Sequence, residues 1–204
     1  MPKSILIASL GKSPIVITAM VKALKEIKQI NLDEVIVLYP EKAENIKDAF
    51  NIIEEQLKKV YSLPVTACSF PFSDVSTSGD CYHFLQGIYT ILENNTTNTI
   101  YLSLAGGRKS MSVLMGVLVP FYRNVKGIYH ILDKFEDDPK IKNFYLIETL
   151  IEYYIDNEDL LRQKMFPPLE SLNLIELPFE YYANADELIY RIYGTRSYQA
   201  LPFA

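Results

Sequence analysis

Short apolar runs alternate with stretches in which apolar residues recur at helical spacing. Ser4-Ile5-Leu6-Ile7-Ala8 is apolar almost throughout and breaks at Gly11, as a strand buried on both faces does. Ser13-Pro14 follows, an expected N-cap with proline at the first helical position. Ile17, Met20, Val21, Leu24 and Ile27 then recur with helical period. A second strand is expected at Glu34–Tyr39, stopped by Pro40, and a helix from Ala43 to Val60. Val65–Phe70 reads as a third strand, and Tyr82–Leu92 as a helix with Asp80 as its cap. Thr99–Leu104 is a fourth strand, Met111–Tyr122 a helix and Gly127–Leu132 a fifth strand.

Continuously apolar strands separated by amphipathic helices predict an α/β fold. The expected form is a Rossmann-like, doubly wound, mainly parallel sheet with helices on both faces. Ligands of such sheets sit at the carboxyl ends of the strands, near the switch in strand order. The first and fourth strands both end in glycine-bearing loops that open helices, so function is expected there.

After residue 139 the texture changes. Asp133–Lys142 is a polar connector, and Phe144-Tyr145-Leu146-Ile147 suggests another strand. Pro167-Pro168 breaks the chain, Ser171–Phe179 reads as a late strand, and Tyr181–Tyr193 as a last helix. The expected organisation is a ligand-binding domain over residues 1–139 and a small C-terminal α/β extension over 140–204, which completes the sheet or a dimer.

Charge and composition narrow the functional classes. The 204 residues carry a net charge of −5, which argues against binding duplex DNA or an anionic membrane through a broad basic face. Apolar runs are cut by Lys, Asp or Pro short of the ~20 residues that a membrane span needs. Met1-Pro2-Lys3 leads into the first strand with no signal-peptide pattern, so a cytoplasmic location is expected. Cys68, Cys81 and two histidines are too few for a zinc cluster, and the cysteines read as reduced thiols. No metal or cofactor is expected.

Gly11-Lys12-Ser13 invites comparison with a phosphate-binding P-loop. The glycine that motif needs five positions earlier is Leu6, and Pro14 removes a backbone N–H from the cradle. A simpler site remains, a strand, a small polar loop and a helix start, with Ser9, Lys12 and Ser13 within reach of an anion. Ala105-Gly106-Gly107-Arg108-Lys109-Ser110 says more. Its glycines let the backbone turn sharply or approach a ligand, and Arg108 and Lys109 fall at a helix start, where the dipole disfavours cations. An anionic ligand would offset that cost, so two such loops point to a phosphate-bearing ligand. Arg123 and His130 have the Arg-x6-His spacing of HEPN ribonucleases. Here the arginine ends one helix and the histidine lies on a strand, the wrong setting for that motif. His83 reads as a partly exposed helix residue.

Ser9-Leu10-Gly11-Lys12-Ser13-Pro14 together with Ser103–Met111 resembles the CRISPR-associated Rossmann-fold (CARF) domains, as do Tyr129-His130-Ile131-Leu132 and Leu174–Phe179. The resemblance covers residues 4–135 well and the tail loosely. It implies a homodimer with paired loops facing across a two-fold axis. The implied ligand is cyclic oligoadenylate, with cyclic tetra-adenylate the ring best suited to that symmetry. The chain has no room for the effector domain that many relatives carry, so it is similar to stand-alone ring nucleases. These cleave the messenger without metal: a ribose 2′-hydroxyl attacks the adjacent phosphorus and leaves a 2′,3′-cyclic phosphate. Ser9, Gly11, Lys12, Ser13, Gly106, Gly107, Arg108 and Lys109 are then the expected ligand-binding residues. Ser13, Arg108 and Lys109 are the expected catalytic ones, with Lys164 as the candidate for the lysine those enzymes take from the C-terminal region. The alternatives are a sensor that binds the ring intact and signals through a separate effector, and a different small-molecule enzyme on the same fold.

Overall fold

The computed structural model describes residues 2–181. In chain order the elements are β1 (Ser4–Ser9), α1 (Ile15–Glu26), β2 (Glu34–Pro40), α2 (Ile46–Tyr61), β3 (Val65–Phe70), α3 (Ser78–Asn94) and β4 (Thr99–Ser103). They continue with α4 (Lys109–Leu118), β5 (Val125–Asp133), α5 (Ile147–Tyr154), α6 (Glu158–Met165) and β6 (Leu172–Glu176). The six strands form one sheet in the order β3-β2-β1-β4-β5-β6. Every pairing is parallel except that of β6, which lies antiparallel on β5 with Ile131 opposite Leu174.

Both faces are covered, which is why the central strands read as unbroken apolar runs. Along β1 the side chains alternate between two cores. Leu6 and Ala8 pack with α1, α2, α5 and α6, whereas Ile5 and Ile7 pack with α3 and α4. β1 is therefore buried on both sides, with Leu6, Ile7 and Ala8 at 0% exposure. Strand order reverses at β1, which has β2 on one flank and β4 on the other. The loops that leave β1 and β4 thus emerge side by side at one end of the sheet, the place where α/β sheets bind ligands.

Three local expectations are corrected. α1 starts one residue late: Pro14 is its N-cap (φ −68°, ψ −24°), its carbonyl accepts from Ile17 N–H at 3.1 Å, and Ser13 falls outside the helix and caps nothing. α3 starts early, at Ser78, because Thr77 is the true N-cap and Asp80 is its reciprocal partner three residues on. Residues 144–147 form no strand. β5 already has β4 and β6 on its two edges, while the N–H groups of Asn143 and Phe144 bond to the Asp133 carboxylate and that of Ile147 to the Lys12 carbonyl. The chain enters α5 there instead. The late strand is present as β6, and the expected last helix lies outside the described residues, apart from Tyr181. No helix among the described residues is long and apolar enough to cross a membrane.

Candidate functional site

The loop after β4 is seated on the loop after β1, backbone against backbone. A Cβ at Gly106 would stand 1.9 Å from the Ser9 carbonyl oxygen, and one at Gly11 would stand 2.9 Å from the Gly107 nitrogen. Gly107 has φ +73°, the left-handed region that glycine enters without strain. Ser9, wholly buried, donates its hydroxyl hydrogen to the Gly106 carbonyl at 2.6 Å. These residues hold the site's two halves together, and the Ser9 hydroxyl hydrogen is committed to the Gly106 carbonyl.

Beyond that seam a cleft of about 280 Å³ opens, at the lower edge of the range of about 300–1,000 Å³ usual for small-ligand sites. Leu10, Pro40, Ala43, Ile46 and Met111 give it an apolar lining. Gly11, Lys12 and Arg108 line it from the two glycine loops, and Glu44, Ser73 and Asp74 from the ends of β2 and β3. The formal charges of its lining cancel, Lys12 and Arg108 against Glu44 and Asp74. A polyanion would be recognised here by directed donors and not by bulk positive charge.

Those donors sit at the start of α4. Arg108 is the N-cap, in extended backbone, and Lys109 is the first helical residue, with no acidic side chain in the first turn. The opening N–H groups of a helix have no intrahelical acceptor, so they and the two cations favour an anion at this end. Lys109 is exposed and is not among the residues that line the cleft. Arg108 is two-thirds exposed yet engaged: its Nε donates to Asp74 Oδ1 at 3.0 Å, and its Nη2 lies 2.8 Å from Asp74 Oδ2.

Ser13 and Lys164 are placed differently. The Ser13 hydroxyl oxygen is buried without a hydrogen-bond partner, and Ser13 does not line the cleft. Lys164, on α6, lies over the rings of Tyr145 and Tyr154 at 4.9 and 5.5 Å. It lines a separate cleft with Lys22, Asn143, Gln163, Phe166 and Pro168, which shares no residue with the first. Lys164 thus lines a different cleft from the one beside the glycine loops.

Sequence reasoning missed Asp74 and Glu44. Asp74 lies 34 positions from Arg108, in a Ser/Asp/Thr-rich turn whose one legible signal is its place at the carboxyl end of a strand. Arg123 is exposed in the turn before β5 and His130 lies half-buried within β5, while His83 is exposed on α3. Cys68 and Cys81 are unpaired, and burial pushes the Cys68 thiol up from its ordinary value. Among the described residues no cluster of three or more His, Cys, Asp or Glu side chains is placed to hold a metal ion.

No curated protein matches the chain in sequence. Among solved structures, Csm6 of Enterococcus italicus, bound to cyclic hexa-2′-fluoro-hexa-dAMP, is similar in fold at a TM-score of 0.61 and 11% identity. The match covers 98% of this chain and 49% of that one, so the chain spans about half the length of that Csm6. Protein VC1899 of Vibrio cholerae matches at a TM-score of 0.49 and 9% identity, over 62% of this chain and 30% of its own. The model of the family described as CRISPR-associated protein NE0113 matches residues 13–198. The chain therefore belongs to the CRISPR-associated protein NE0113 family and is a CARF-domain protein with the α/β fold expected of one.

Proposed function

We propose that the chain binds cyclic oligoadenylate in the cleft between the two glycine loops and cleaves it, in the cytoplasm, as a metal-independent ring nuclease. The observation that carries the reading is the placement of Arg108 on the rim of a partly apolar cleft at the strand-order switch, with Lys109 next to it as the first residue of α4. Such a cleft offers a surface for a base and donors for its phosphate. The ligand in the similar Csm6 structure is of the same class.

For cleavage, the ring supplies its own nucleophile, a ribose 2′-hydroxyl. This attacks the neighbouring phosphorus in line as it gives up its proton, the 5′-oxygen leaves and takes up a proton to become a hydroxyl, and a 2′,3′-cyclic phosphate remains. The protein's contribution is to hold that alignment and stabilise charge on the phosphoryl oxygens. Lys109 and Arg108 are suited to the charge, Lys12 to an adjacent phosphate, and Ser13 to the attacking hydroxyl once ligand binding exposes it. A two-fold dimer suits a symmetric ring such as cyclic tetra-adenylate. The seam proposed for it is the outer face of α4, where Val113 and Val117 are 63% and 54% exposed directly beyond the Gly-Gly-Arg-Lys loop.

Two observations favour the second reading, a sensor that leaves the ring intact. Lys164 is stacked on two tyrosines in a different cleft, and the Ser13 hydroxyl is buried. Incubation of the protein with radiolabelled cyclic tetra-adenylate in EDTA separates the two. Linear product ending in a 2′,3′-cyclic phosphate, lost in Lys109→Ala, supports the nuclease. Tight binding with the ring intact over hours supports the sensor, and neither binding nor cleavage of the tetra- or hexa-adenylate ring sinks both.

A further inference from the structure

We infer that Asp74 is a positioning residue for Arg108: its carboxylate holds one edge of the guanidinium so that the other edge meets a ligand phosphate. The inference rests on the reading of the cleft as a cyclic oligoadenylate site and adds to it a residue from a third loop.

Arg108 alone is poorly placed to wait for a ligand. Its side chain is 67% exposed, it makes no capping bond, and a free arginine loses much rotamer entropy when it is fixed. Asp74 fixes it beforehand. Its Oδ1 accepts from Arg108 Nε at 3.0 Å and its Oδ2 lies 2.8 Å from Nη2, the two-pronged pairing that sets a guanidinium's plane as well as its position.

The carboxylate is itself held. Asp74 Oδ1 also accepts the N–H of Val75 at 2.8 Å, and Val75 packs against the core beneath α3 and α4. On the other side Phe72 is buried, stacks on Phe70 at 5.6 Å between centroids, and accepts from Lys42 N–H at 3.2 Å through its carbonyl. Thr77 and Asp80 close the loop by capping α3. Asp74 is thus a fixed point and Arg108 the arm hung from it.

Donor counting shows what remains. A guanidinium has five N–H groups, and the pairing with Asp74 uses those on one edge. The end-on edge is left, and it can bind two phosphate oxygens at once. An exposed ion pair adds little to folding, so fixing orientation is the larger effect open to this one. It also explains why a site for phosphates keeps a carboxylate at its rim.

The test is titration of cyclic tetra-adenylate, and of the hexa-adenylate ring, into wild type, Asp74→Ala, Asp74→Asn, Arg108→Ala and the Asp74→Ala/Arg108→Ala double variant, with thermal melts to confirm that each is folded. Asp74→Ala is expected to weaken binding about tenfold, and Asp74→Asn, which keeps one acceptor oxygen, to recover part of the loss. On the Arg108→Ala background Asp74→Ala should cost nothing further, because both act through one guanidinium. Binding by Asp74→Ala as tight as wild type or tighter overturns the inference, since the carboxylate then idles or competes with phosphate. An equal loss on the Arg108→Ala background also overturns it, because Asp74 then acts through the fold. If folded wild type binds neither ring, the reading of the cleft falls and this inference with it. Binding by wild type with Asp74→Ala unchanged removes the inference alone.

Discussion

Ser9 and Gly106, 97 positions apart in sequence, are joined by a 2.6 Å hydrogen bond from a buried hydroxyl to a backbone carbonyl. The same pair leaves no room for a side chain at position 106. A methyl group there would sit 1.9 Å from the Ser9 carbonyl oxygen, so backbone would have to move. Gly106→Ala is expected to destabilise the fold by about 3 kcal/mol or more and to separate the two loops. Urea melts read the first effect and ligand titration the second. A variant as stable as wild type would show that the loops are not packed in this way.

Ser13 should separate folding from chemistry. Its hydroxyl oxygen is buried with no partner, a state that carries a desolvation cost. Ser13→Ala is therefore expected to leave stability within about 1 kcal/mol of wild type, or raise it. If Ser13 orients the attacking hydroxyl, ring cleavage falls at least tenfold, with the melting temperature unchanged. A large loss of stability would place an unrecognised hydrogen bond on that oxygen.

Asp133 ties down the connector after β5. It is buried, and its carboxylate accepts N–H groups from Phe135 at 3.1 Å, Phe144 at 3.2 Å and Asn143, together with the Asn143 side-chain amide at 2.9 Å. Burial alone would raise its pKa, but the bonds from Asn143, Phe135 and Phe144 outweigh burial and hold it below its ordinary 3.8. A lowered folded value means that the ionised form stabilises the fold. That contribution is complete above the unfolded value of 3.8 and fades as pH falls from there through the folded value. Asp133→Asn should cost about 1–3 kcal/mol at neutral pH and flatten the acid limb of a stability–pH curve. An unchanged acid limb would assign that limb to other carboxylates.

Val113 and Val117 are exposed on a helix whose fully buried side chains are Met111 and Met115. If the outer face of α4 is the dimer seam, Val117→Glu should convert the protein to a folded monomer by analytical ultracentrifugation. It should also weaken binding of the symmetric ring, which would lose its second set of loops. A dimer unaffected by the charge would move the seam elsewhere.

The parallel sheet was legible because its strands are covered on both faces, which turns burial into unbroken apolar runs such as Ile5-Leu6-Ile7-Ala8. Both glycine loops were legible for a related reason: Gly11, Gly106 and Gly107 sit where backbones touch, and cations at a helix start stand out against the dipole. What was hidden depends on partners distant in sequence. Asp74 has only its place after a strand to mark it, and its partner is hidden until the sheet brings the end of β3 to the start of α4. Phe144–Ile147 has the composition of a strand, but both edges of β5 are occupied and Asp133 claims the backbone it would have offered. Ser13-Pro14 is a fair helix start displaced by one residue, enough to turn an expected capping hydroxyl into a buried, unpaired one.

The central position of β1 has a temporal consequence. Its neighbours are the second strand and the fourth, so its second flank stays bare until nearly half the chain has been made. Contacts of such long sequence separation form late, after local helices and hairpin-scale units. The Ser9–Gly106 contact closes that flank, and the same closure creates the cleft. A chain that has not yet laid β4 beside β1 therefore lacks the cleft, whereas β5 and β6, which join the sheet later, contribute no residue to its lining.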